Sequence, residues 1–216
     1  MSNFVSFLIL VLGVFLSLFL FWKFTRDDYE DSDIFALWFI ALTGGFVGFF
    51  IVNLFWRADS LLAGLVTAVL LGAFRARRLK MKLFEILEAS VPSIFLFLLF
   101  VLLSWAVFGI TTGLVADVVI IVLVLALFFL FKANYRRFLW YPSGRVGFAS
   151  LATVAIYFIV RAIVASFAPM VLSLILVLFS PIATLTFCLF VGTLCLVLLY
   201  IRSERNDLIR FSRNKR

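Results

Sequence analysis

From residue 4 to residue 201 the chain is a succession of apolar runs, most of them close to bilayer-spanning length, parted by short clusters of Lys and Arg. A helix needs ~20 mostly apolar residues to cross the hydrocarbon core. In lipid every backbone N–H and C=O must be satisfied within the spanning structure itself, which leaves helices as the way to use such runs. Seven stretches fit: 4–22, 34–55, 61–74, 84–108, 114–131, 146–167 and 182–201. The third is short but ends sharply at Arg75. The last belongs to an apolar run over 171–200, too long for one straight crossing. Ser180-Pro181 divides that run, because proline lacks a backbone donor; an interfacial helix and then a span at 182–201 are expected. Residues 1–22 lack a basic leading segment and a small-residue cleavage site, so they read as a retained span, not a signal peptide.

The composition excludes a water-soluble domain, with 66% hydrophobic residues and a mean hydropathy of +1.24 against roughly half apolar in soluble proteins. A net charge of +8 would suit a nucleic-acid partner only if the cations lined a soluble face. Here they lie between apolar runs, so no nucleic acid is expected. Instead they set orientation, since cytoplasmic loops are enriched in Lys and Arg. With seven spans, one side of the membrane holds Lys23 and Arg26, the cluster from Arg75 to Lys82, the loop from Lys132 to Arg145, and the tail from Arg202 to Arg216. Of the 19 basic residues only Arg57 faces the other side and only Arg161 lies within a span. Removing or adding one span would scatter these charges over both faces. The expected fold is therefore an all-α bundle of about seven transmembrane helices (residues 1–201), N-terminus outside, with a basic cytoplasmic tail at 202–216.

Histidine is absent, which removes the commonest general base and most zinc sites; no metal or cofactor is expected. Cys188 and Cys195, seven apart in one apolar run, share a helix face and read as small packing residues. The 29 Phe residues suit lipid-facing and helix-packing surfaces.

Ionisable groups at membrane depth are costly, so each is a functional candidate. Arg161 is the clearest. Its guanidinium fork fits a phosphate bidentately, which makes it a candidate for a phospholipid headgroup; the alternatives are snorkelling to outer headgroups or pairing with Asp117. Glu85 and Glu88 share a face just past the basic cluster, where they either perform acid–base chemistry or pair with the neighbouring Lys and Arg. Asp117 opens the fifth helix, where a carboxylate complements the helix N-terminus. Gly44, Gly45 and Gly48 form a small-residue face for close helix approach, and Gly64 adds a further packing position. Tyr29-Glu30-Asp31-Ser32-Asp33 reads as a solvated acidic loop, with Ser32 or Asp33 capping the second helix.

The order of these motifs resembles prolipoprotein diacylglyceryl transferase, the bacterial membrane enzyme that moves a diacylglyceryl group from phosphatidylglycerol to the lipobox cysteine of prelipoproteins. Gly44-Gly45-Phe46-Val47-Gly48-Phe49 resembles the family's Gly-Gly-Arg-Ile-Gly-Tyr, and Ser60-Leu61-Leu62-Ala63-Gly64-Leu65-Val66 its Ser-Phe-His-Gly-Gly-Leu-Ile. Phe74-Arg75-Ala76-Arg77-Arg78, and then Phe84 through Glu88 leading to Val91-Pro92, are similar to its basic loop and the helix that follows. The stretch from Tyr157 through Arg161 to Phe167 resembles Tyr-x-x-x-Arg-x-x-x-Glu-x-Phe. The resemblance implies seven spans in a bacterial cell membrane, phosphatidylglycerol as partner, and prelipoprotein signal peptides as further partners. It also implies roles for Arg161 and Tyr157. The departures fall on the chemistry: Leu62 stands for the histidine, Phe46 for an arginine, and Ala165 for the glutamate after Arg161. The family's Gly-Arg-x-Gly-Asn-Phe falls near residues 101–106, with Leu102 and Trp105 for Arg and Asn. The turn from Gly109 to Gly113 replaces its outer head region. Thiolate attack needs a base and stabilised leaving charge. One cation without an evident base predicts a transferase-like, lipid-binding protein in place of a standard catalyst; the alternative is a transporter or assembly subunit.

Overall fold

The computed structural model describes residues 2–56, 60–107, 114–135, 146–167 and 181–203. Within them the chain is entirely helical: α1 Ser2–Thr25, α2 Asp31–Trp56, α3 Ser60–Arg78, α4 Leu83–Val107, α5 Leu114–Asn134, α6 Phe148–Phe167 and α7 Pro181–Arg202. Five of these, α1, α2, α4, α5 and α7, are long and apolar enough to cross a membrane. In α6 the apolar stretch is shorter, Phe148–Val164, and α3 ends in Arg75, Arg77 and Arg78. The expected stretch 61–74 therefore continues as helix through the basic cluster: Arg and Lys have good helix propensity, and cations complement a helix C-terminus. The expected loop at Arg57, the turn at 109–113, the loop over 136–145, the interfacial helix before Pro181 and the tail from residue 204 lie outside the described residues. Helix α2 begins at Asp31, before both expected caps, and Asp31 Oδ1 accepts a hydrogen bond from Trp22 Nε1 at 2.6 Å.

Large apolar side chains point outward on most helices, among them Phe4, Phe15, Phe50, Leu54, Val115, Phe190 and Ile201. Helices that are apolar on every side suit hydrocarbon surroundings. Small residues mark the seams instead. Along α1, Ser6, Gly13 and Ser17 are buried; Ser6 Oγ lies 2.6 Å from Ser104 Oγ on α4, and Gly13 packs against Phe100 of the same helix. Between α2 and α3, Gly44 lies under Leu71 and its carbonyl accepts from Thr67 Oγ1 at 2.9 Å. Gly48 is buried and Gly45 half-buried, while the surroundings of Gly64 lie outside the described residues. Gly192 brings α7 onto Ile159 and the Ala155 carbonyl of α6.

Helix α4 is the hub, touching α1, α3, α5 and α6. Its core with α5 and α6 is Val91, Phe95, Leu102, Ile121, Val124, Phe128, Ala149 and Tyr157. A second cluster joins α6 to α7 through Ala152, Ala155, Cys195 and Leu199. The third, Phe21, Ile34, Leu37, Ala76, Met81 and Ala89, gathers where α1 ends, α2 begins and α3 turns into α4.

Candidate functional site

One face of α6 is polar although it is turned inward. Ser150, Thr153, Tyr157 and Arg161 follow one another at helical spacing, and all four are buried. Arg161 is the largest fully buried side chain among the described residues. Its Nη1 donates to Asp117 Oδ1 across the α5–α6 seam, and its Nε donates to Tyr157 OH at 3.4 Å. The guanidinium carbon stands 5.5 Å from the centre of the Tyr157 ring, and that ring meets Phe95 edge-on at 4.9 Å. Helices α4, α5 and α6 thus meet around one cation.

The pairing follows from depth. Asp117 lies in the first turn of α5, and Arg161 lies two turns from the end of α6, which runs antiparallel to it. Of the alternatives for Arg161, the pairing with Asp117 is present, so this helix-terminal carboxylate is also the counter-ion of Arg161. Two antiparallel spans with opposite charges at matching depth was the signal available for this pair. One donor is left over: Arg161 Nη2 is buried without a hydrogen-bond partner among the described residues, as is Thr153 Oγ1 on the same helix face. A buried donor without an acceptor costs about 1–3 kcal/mol or more when charged, so Nη2 is the atom at which a further acceptor is most favourable.

Glu85 and Glu88 do not join it. Glu85 accepts from Tyr29 OH at 2.7 Å and from Lys82 Nζ at 2.9 Å, while the Lys82 amide donates to Tyr29 OH at 3.0 Å. These bonds tie the α1–α2 turn to the α3–α4 turn. Burial, and then the neighbouring Glu85 carboxylate, push the Tyr29 phenol above its ordinary value. The bond to Glu85 likewise raises Lys82. Among the described residues Glu88 makes no salt bridge to Lys or Arg; it accepts from the Gly147 amide at 2.6 Å. Gly147 has φ +101° with its Cβ direction closed by Phe84, and Glu88 there supplies a carboxylate at the α6 N-terminus. From that turn to Arg161 is about 20 Å along the helix, so the two carboxylates and the arginine occupy opposite ends of the bundle. Nothing in the sequence around Gly147 announced the Glu88 contact, since it depends on tertiary packing.

Cys188 and Cys195 are free and buried, as their shared face implied. No cluster of three metal-ligating residues occurs among the described residues. What fold and site define together is a multi-pass helical membrane protein with a buried, three-helix arginine cluster. No family model, curated protein or solved structure matches the chain.

Proposed function

We propose that the chain is a seven-span cell-membrane protein, N-terminus outside and C-terminus cytoplasmic, that binds the phosphate headgroup of phosphatidylglycerol at Arg161. In this reading it has the frame of a diacylglyceryl transferase without that enzyme's standard chemistry. The observation carrying it is the unpartnered Nη2 of Arg161. Asp117 and Tyr157 hold the guanidinium in place, and a phosphate oxygen supplies the missing acceptor in a charge-assisted bond. Binding without transfer is supported by Glu85 and Glu88 being engaged at the other end of the bundle, by the Asp117 carboxylate being taken up by Arg161, and by a chain with no histidine.

The test is expression in cells depleted of the native transferase, with a prelipoprotein reporter read by mass spectrometry. Unmodified reporter is expected, together with phosphatidylglycerol that co-purifies with wild type and is lost in Arg161→Ala. Modified reporter would show an active transferase, and equal phospholipid in both proteins would remove the headgroup site. The Arg161–Asp117 pair itself favours a second reading, in which the arginine only latches α5 to α6. In that case Asp117→Asn and Arg161→Ala weaken the bundle alike and neither changes the bound lipid.

A further inference from the structure

On the side of α6 turned away from Tyr157 and Arg161, an apolar groove of about 430 Å³ runs between α6 and α7. Gly192 draws the two helices together beside Ile159, and the small side chains of Ala152 and Ala155 leave a trough below that contact, walled by Leu196. The groove ends at Phe148 and Ser203. Ser203 Oγ spends its proton on the Tyr200 carbonyl at 2.7 Å, so that end presents no strong demand for a polar ligand within the trough.

Length selects the occupant. From Phe148 to Ile159 is about 16 Å along α6, half of the ~30 Å hydrocarbon core, which is the depth of one leaflet. Charge selects its head. Arg202 follows the groove wall in sequence, next to the lining residue Ser203; its Nη2 donates to the Val146 carbonyl at 2.6 Å and its guanidinium stacks 3.7 Å above the Phe84 ring. Cations at the headgroup level attract anionic lipid.

We infer that this groove holds one acyl chain of an anionic phospholipid from the leaflet on the basic side of the bundle, its headgroup beside Arg202. The inference rests on the proposed topology and is separate from the Arg161 site, which lies near the other end of α6.

The experiment reconstitutes the full chain in phosphatidylcholine vesicles containing phosphatidylglycerol with a photoactivatable group in its acyl chain, and maps the cross-links by peptide mass spectrometry. Labelling is expected to concentrate on residues 148–159 and 196–203. Unlabelled phosphatidylglycerol should compete better than phosphatidylcholine by about fivefold, a preference that Arg202→Ala removes. Ala155→Phe fills the trough and abolishes the labelling, and Ala152→Leu repeats that test away from the Gly192 contact. Arg161→Ala leaves it intact, so the two lipid sites fail separately. Labelling spread evenly over the exposed face of α1 around Phe15, or unchanged in both filled variants of folded protein, would overturn the proposal.

Discussion

Arg161 carries its charge into the interior on the strength of one carboxylate and one phenol. Breaking a buried ion pair from one side leaves the other charge stranded, whereas replacing both partners with apolar groups is often close to neutral. Arg161→Ala and Asp117→Asn are each expected to cost on the order of 3 kcal/mol, and the double variant Arg161→Met/Asp117→Leu to recover most of it, read by unfolding in mixed micelles. A double variant no more stable than either single would show that the pair does not govern the seam.

At the opposite end Tyr29, Lys82 and Glu85 form a latch whose pH dependence has a defined sign. Lys82 titrates above its ordinary 10.5 when folded, so its contribution is complete below that value and is lost as pH rises through the raised one. Tyr29, raised above 10.0, is held as the neutral phenol and loses its contribution in the same direction. Glu85 is held below its ordinary 4.5, its burial outweighed by the bonds to Tyr29 and Lys82, so its contribution is lost as pH falls through that lowered value. Stability from this latch should be flat at neutral pH and fall in both acid and alkali, and Tyr29→Phe should shallow the alkaline fall. Melting temperatures followed across the alkaline range would settle it; identical slopes in the two proteins would contradict the latch.

Among the helices, close approach depends on what each glycine faces. A Cβ on Gly13 meets the Phe100 Cβ, a stiff position, whereas one on Gly44 meets the far end of Leu71, and one on Gly72 finds ordinary contact with Ala41 at 3.6 Å. Substitution by alanine should therefore destabilise in the order Gly13, Gly44, Gly72, with a cost of about 1–3 kcal/mol for the first, as for overpacking. Thermal melts in the reverse order would mean that the α1–α4 seam is looser than it looks.

The long helices were legible because an apolar run of spanning length has few other uses; α7 is described from Pro181 onward, and the expected break before it lies outside the described residues. The end of α3 was not, since the hydropathy ruler stops at Arg75 while helix propensity does not. The α1 stripe of Ser6, Gly13 and Ser17 was also hidden: in a run apolar on all sides, three small residues acquire meaning only once α4 lies against them. Arg161 stood out by the cost of its charge, and pairing with Asp117 was already one of its alternatives; the choice between that pairing and snorkelling to headgroups needed the packing of α5 on α6.

For the whole molecule, the proposed topology puts the basic ends of α1, α3, α5 and α7 on the cytoplasmic side. Both native cysteines are buried, so single added cysteines report cleanly. In intact cells an impermeant maleimide should label Thr111→Cys and spare Asp28→Cys; labelling of Asp28→Cys alone would invert the bundle.

The most direct measurement is the number of phosphatidylglycerol molecules held by the intact protein in native mass spectrometry, compared among wild type, Arg161→Lys and Arg161→Ala. A phosphate bound at Nη2 predicts one fewer lipid in Arg161→Ala, and weaker retention in Arg161→Lys, whose ammonium keeps the charge but not the fork. The same number of lipids, held equally tightly in all three proteins, would contradict phosphate binding at Arg161.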